Sequence, residues 1–94
     1  PTNWVKRYNL EGPLVMKTIP GGAADRAGIH ATKQARNGEI ILGDIIVALN
    51  QTKIASYEDL VLEMEKYRPG QEVTLSLLRD GQAIDVKVQL NESR

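Results

Sequence analysis

The chain has 94 residues, 41% hydrophobic and 26% charged, with twelve basic residues set against twelve acidic ones and no cysteine. This length suffices for one domain with a single core, and the composition excludes disulfide frameworks, thiol catalysis and thiolate metal sites. The balanced, unclustered charge leaves no electrostatic footprint for nucleic acid or an anionic membrane surface, and no window approaches the roughly 18 consecutive apolar residues of a membrane span.

The N-terminal stretch lacks the pattern of a signal peptide, and Pro1 stands where an initiator methionine would. The latter leads to the expectation of a fragment from a longer protein, with any address label outside it. Within Asn3 to Tyr8, the residues Trp4, Val5 and Tyr8 fall at near-helical spacing, which fits either a surface-packing turn or a segment folded over a neighbouring gap. The apolar run Leu14 to Ile19 predicts a strand that ends at Pro20-Gly21-Gly22, where a sheet cannot continue. Ala23 to Ala27 predicts a short helix, with Gly28 where a left-handed cap is wanted.

After the loop-like stretch Ile29 to Glu39, two further strands are predicted, Glu39 to Leu42 and Ile45 to Leu49, bent at Gly43-Asp44 and ending at Asn50. Ser56 and Asp59 form a capping-box pattern for a second helix, which Pro69-Gly70 stops after Tyr67 or Arg68. Acidic Glu58 and Asp59 at its start, and Lys66 and Arg68 at its end, suit the helix macrodipole. The alternating runs Glu72 to Arg79 and Ile84 to Leu90 are strands, and Asp80-Gly81 between them predicts a hairpin with a type I′ turn.

On the second helix Tyr57, Leu60, Val61, Met64 and Tyr67 form one apolar stripe at spacings of three and four, widened by Leu62. Periodicity admits two readings. Either the whole stripe faces the core, or Leu60 and its neighbours pack inward while Tyr57, Val61 and Met64 line a groove. Glu58, Glu63 and Glu65 lie off that stripe and read as a solvated surface.

Catalysis requires convergent polar groups, and the sequence offers few. His30 is the single histidine and the serines are Ser56, Ser76 and Ser93, of which the first caps a helix, the second sits mid-strand and the third lies in the tail. One histidine without cysteines does not build a zinc site, so no metal or cofactor is expected and His30 reads as a surface residue. Gly21-Gly22 lacks the Gly-Lys-Ser/Thr of a phosphate loop and the spacing of a dinucleotide fingerprint, which leaves a turn feeding a short helix.

The stretches Leu14-Val-Met-Lys-Thr-Ile-Pro-Gly-Gly-Ala-Ala-Asp-Arg-Ala-Gly28, Gly43-Asp-Ile-Ile-Val-Ala-Leu-Asn50, Ser56-Tyr-Glu-Asp-Leu60 and Pro69-Gly-Gln-Glu-Val-Thr-Leu-Ser-Leu-Leu-Arg-Asp-Gly81, in that order, closely resemble a PDZ domain. The bacterial type attached to HtrA/Deg serine proteases is most similar, and the resemblance runs from about Gly12 to Leu90. It implies a mainly β fold with two helices, a partly open β-barrel or sandwich, forming a single domain. Three departures stand out. Gln51 follows Asn50 where the family carries Asn-Gly, Ile29 to Glu39 is longer than the usual passage, and no apolar-Gly-apolar loop for a ligand carboxylate precedes Leu14. The last implies that the carboxylate loop and the strand that pairs with the ligand lie upstream of Pro1 in a longer parent, so that this chain alone binds peptide weakly or not at all.

By resemblance the partner is an extended or C-terminal peptide segment added as an extra strand, held by Tyr57, Leu60, Val61 and Met64. Tyr57, at the first helix position, flanks the pocket for the ligand's third-last residue; an aromatic there lacks the basic acceptor that histidine offers to Ser or Thr, so apolar tails are expected. Val61 and Met64 shape the last-residue pocket, Met64 with an adaptable thioether. The chain itself is expected to be non-catalytic. The parent is expected to be an HtrA/Deg-like serine endopeptidase of protein quality control in the periplasm or cell envelope, with its oligomeric state left open. A scaffold or secretion-associated module without a protease is the alternative.

Overall fold

The computed structural model describes residues 12 to 90; the Asn3 to Tyr8 segment lies outside them. In chain order the elements are helix α1 (Ala23–Arg26), strands β1 (Lys33–Gln34), β2 (Ile40–Ile41), β3 (Ile45–Leu49) and β4 (Thr52–Lys53), helix α2 (Tyr57–Met64), and strands β5 (Glu72–Arg79) and β6 (Gln82–Gln89). The strands form a four-stranded antiparallel sheet ordered β4-β3-β5-β6 and a separate β1-β2 pair. The protein is thus mainly β with two helices, and both sheets stay open rather than closing into a barrel.

The long hairpin follows from its sequence. Asp80 and Gly81 take φ of 50° and 78°, the two positive angles of a type I′ turn, and Arg79 faces Gln82 across it. The hairpin β3-β4 uses the same device at Asn50 and Gln51, with φ of 46° and 72°. Gln51 therefore holds the left-handed conformation that glycine occupies without strain. Asn50 earns its place twice, since its N–H donates to the Thr74 carbonyl and its Oδ1 accepts from the Thr74 N–H, both at 2.8 Å.

Helix α1 ends in a Schellman arrangement: Gly28, at φ 83°, donates to Asp25 and Ile29 donates to Ala24. Helix α2 begins at Ser56, whose Oγ accepts from the Asp59 N–H at 3.1 Å. The reciprocal bond of the capping box lands one residue earlier, with Asp59 Oδ2 accepting from the Ala55 N–H. The α-helix stops at Met64, before the expected Tyr67. Lys66 and Tyr67 donate to Glu63 and Met64, so the final turn tightens into i→i+3 bonds and places Lys66 and Arg68 beyond the helix.

The Leu14 to Ile19 run does not form a regular strand. Leu14 bridges Ile45, and three bonds tie its start down: Ile46 N–H to Pro13, Val15 N–H to Asp44, and Thr32 N–H to Val15. Met16, Lys17 and Thr18 make no backbone hydrogen bond with any described residue. A ladder requires a partner, and here none of the described residues supplies one. Gly12 sits against the Ile46 carbonyl with no room for a side chain.

Ile29 to Glu39 is not a featureless insertion, because β1 and β2 pair as Lys33↔Ile41 and Gln34↔Ile40 around Asn37-Gly38. The predicted Glu39 to Leu42 strand thus exists only as Ile40–Ile41 and pairs with the insertion, not with the main sheet. The core joins one face of the main sheet to both helices through Ile29, Ile46, Leu49, Ile54, Val73, Leu75, Leu77 and Val88. Leu60, Met64 and Tyr67 of the α2 region pack against it.

Candidate functional site

Because α2 lies across the sheet with Leu60 and Met64 turned to the core, its first turns form one wall of an open apolar cavity of about 340 Å³. The opposite wall is the Pro13 to Lys17 stretch, and Ile46, Val73, Leu75 and Val88 form part of its lining. Tyr57 is 68% exposed at the mouth. Tyr57, Leu60 and Met64 line this cavity together. Val61, also exposed, lies outside it and lines a shallower recess on the outer side of α2 with Tyr57, Leu60, Met64 and Glu65. The stripe therefore serves the core and an open cleft at once, and neither simple reading of its periodicity is complete.

The cleft is bounded on its strand side by Met16 and Lys17, which with Thr18 have no backbone partner among the described residues. A row of free N–H and C=O groups next to an apolar slot can accept an extended chain through main-chain bonds. Sequence reasoning missed this edge as a feature of the site, because the run reads as an ordinary strand. It also missed Lys17, whose charge in an otherwise apolar alternation was the available signal.

Apart from the cleft lining, an ion pair with a buried carboxylate ties three parts of the fold together. Asp44 is fully buried. It accepts from Arg79 Nε at 2.8 Å and Nη2 at 2.7 Å, and from the His30 N–H at 2.8 Å, while Arg79 Nη2 also donates to the Gly28 carbonyl. Burial, the largest single influence, pushes the Asp44 carboxyl upward, but the Arg79 guanidinium and the His30 N–H together outweigh it and hold the group below its ordinary value. Arg79 is pushed up, first by its hydrogen bonds to Asp44. One side chain thus joins the end of β5, the Gly43-Asp44 bend and the exit of α1.

Glu63 departs from its expected solvated position. It is buried and pairs at 3.1 Å with Lys66, its i+3 neighbour in the tightened turn after Met64. Glu58 and Glu65 are exposed as expected, and so is His30. Ser56 Oγ is committed to its cap and Ser76 is buried in β5. Among the described residues no group of three or more His, Cys, Asp or Glu could hold a metal ion, and no helix is long and apolar enough to cross a membrane.

Comparison with known proteins gives a consistent picture. The chain is 34% identical over 90 residues to the chloroplastic protease Do-like 1 of Arabidopsis thaliana, covering 96% of this chain and 20% of that protein. It is 33% identical over 91 residues to the periplasmic pH-dependent serine endoprotease DegQ of Escherichia coli, covering 94% and 18%. The chain thus spans about a fifth of the length of these relatives, which include both periplasmic and chloroplastic proteins. Among solved structures, an HtrA-type protease with a decapeptide shares the fold, with a TM-score of 0.61 at 15% identity over 100% of this chain and 35% of that one. The PDZ domain model matches residues 4–90, and the chain belongs to the PDZ domain family.

Proposed function

We propose that this chain is the peptide-recognising domain of an HtrA/Deg-like serine endopeptidase of the cell envelope, and that it delivers apolar C-terminal or extended segments to a protease domain elsewhere in its parent. The observation that carries the reading is the apolar cleft between α2 and the Met16 to Thr18 edge, which has no backbone partner among the described residues. Tyr57, Leu60 and Met64 form its helical wall. Val61 contributes from the outer recess. Tyr57 stands at the first position of α2, flanking the ligand's third-last residue and favouring an apolar side chain there, while Met64 adapts to the last one.

The strand wall of the groove is completed by an upstream segment of the parent, which pairs with the Met16 to Thr18 edge and brings the loop that holds the ligand's carboxylate. Two observations support this: Met16, Lys17 and Thr18 have no backbone partner among the described residues, and the cleft reaches core residues such as Val73 and Leu75. The similarity to serine endoproteases over nearly the whole chain supports the protease parent. The test is to measure binding of a C-terminal peptide series by fluorescence anisotropy, for this chain and for a version extended upstream. The extended form is expected to bind apolar-tailed peptides in the micromolar range or tighter, and this chain at least tenfold more weakly. Equal affinities would refute the missing wall, and no binding by the extended form would refute the groove.

A further inference from the structure

We propose that Lys17 makes the groove selective for peptides that carry a carboxylate side chain close to their apolar tail. This rests on the groove reading above and names the ligand class within it. Of the described residues lining the cleft, Lys17 alone is charged. It is exposed, and it has no ion pair or hydrogen bond with any described residue. A lysine set in an apolar lining can lay its aliphatic stem along that surface and keep its ammonium in water. A lone cation beside low-dielectric walls attracts an anion more strongly than the same cation on a flat, wet surface, because the walls concentrate its field.

The geometry sets which part of the ligand is read. With one upstream strand on the Met16 to Thr18 edge, the ligand lies two strand spacings away, about 9.6 Å from the Lys17 backbone. The ligand backbone is too far for direct contact, but an extended lysine and a glutamate directed towards each other bridge that gap. The carboxylate recognised by Lys17 is therefore a side chain, and it is distinct from the terminal carboxylate, which the upstream loop holds. The helical wall carries no competing cation: the charged residue of the outer recess is Glu65.

The test compares peptide pairs that share an apolar tail and differ only by Glu or Gln at each of the preceding positions, titrated against the upstream-extended chain. At one or more positions the Glu peptide is expected to bind about three- to fivefold tighter at low salt. The advantage should disappear near 0.5 M salt, roughly a 4 Å screening length. Lys17→Gln should bring the Glu and Gln peptides to equal affinity, and Lys17→Glu should turn the preference towards a Lys peptide. Circular dichroism would check that the fold is retained at this exposed site. Equal binding of Glu and Gln peptides by the unsubstituted protein, or discrimination that survives Lys17→Gln, would overturn the role of Lys17 and leave the groove standing. Binding of neither peptide would overturn both.

Discussion

Replacing Arg79 with leucine removes a partner from a carboxylate that has no access to water. Among the described residues Asp44 would keep the His30 N–H as its one donor and lose both guanidinium bonds. Breaking a buried pair from one side costs about 3–5 kcal/mol. The Arg79 side chain is 27% exposed, so water can reach part of the vacated space and the lower end, about 3 kcal/mol, is expected. For a domain of this size that corresponds to a fall in melting temperature on the order of 15 °C.

The pH dependence separates this mechanism from simple loss of packing. In the unsubstituted protein Asp44 lies below its unfolded value. Its stabilisation is therefore complete above about pH 4 and is lost as pH falls through the still lower folded value. In Arg79→Leu, burial acts with little opposition and lifts the carboxyl above its unfolded value, so the variant should gain stability as pH falls from 7 towards 5. Urea unfolding followed by circular dichroism at a series of pH values reads both effects. A cost under about 1 kcal/mol, or a variant whose stability falls on mild acidification, would refute the argument.

Two smaller effects should be measurable in the same assay. Gln51→Gly relieves a left-handed glutamine in the β3-β4 turn and should stabilise the protein by up to about 1 kcal/mol, offset in part by the greater freedom of glycine in the unfolded chain; a destabilised variant would show that the Gln51 side chain makes a contribution the turn geometry does not reveal. Ser56→Ala removes the acceptor for the Asp59 N–H and should cost about 1 kcal/mol, with Ser56→Asp restoring most of it.

Local chemistry made much of the fold legible. Asp80-Gly81, Gly28 and Ser56 act through dihedral angles and bonds within a few residues, so each did in the structure what its sequence context predicts. The misreadings are places where a distant partner decides. Leu14 to Ile19 has the composition of a strand but lacks a ladder partner among the described residues. Glu63 is polar and off the apolar stripe, yet it is buried and pairs with Lys66. Asp44 and Arg79 are 35 residues apart, and no periodicity connects them. The β1-β2 pair went unread because Lys33–Gln34 carries no apolar alternation. For the cleft, spacing identified the helix face, but only the fold distinguishes Leu60 and Met64, which serve both core and cavity, from Val61, which serves the outer recess.

The β1-β2 hairpin is closed at its base by Asp44 donating to the His30 carbonyl and Gly43 donating to Thr32 Oγ1. Everything between those two staples is a side branch. Its apolar residues Ile40, Ile41 and Leu42 remain exposed rather than joining the core. Because closing a loop of twice the length adds only about 0.6 kcal/mol, the branch can be shortened, lengthened or rewritten beyond those two bonds with little effect on the cleft. It is an evolvable appendage, free to acquire its own contacts while the recognition surface keeps its shape.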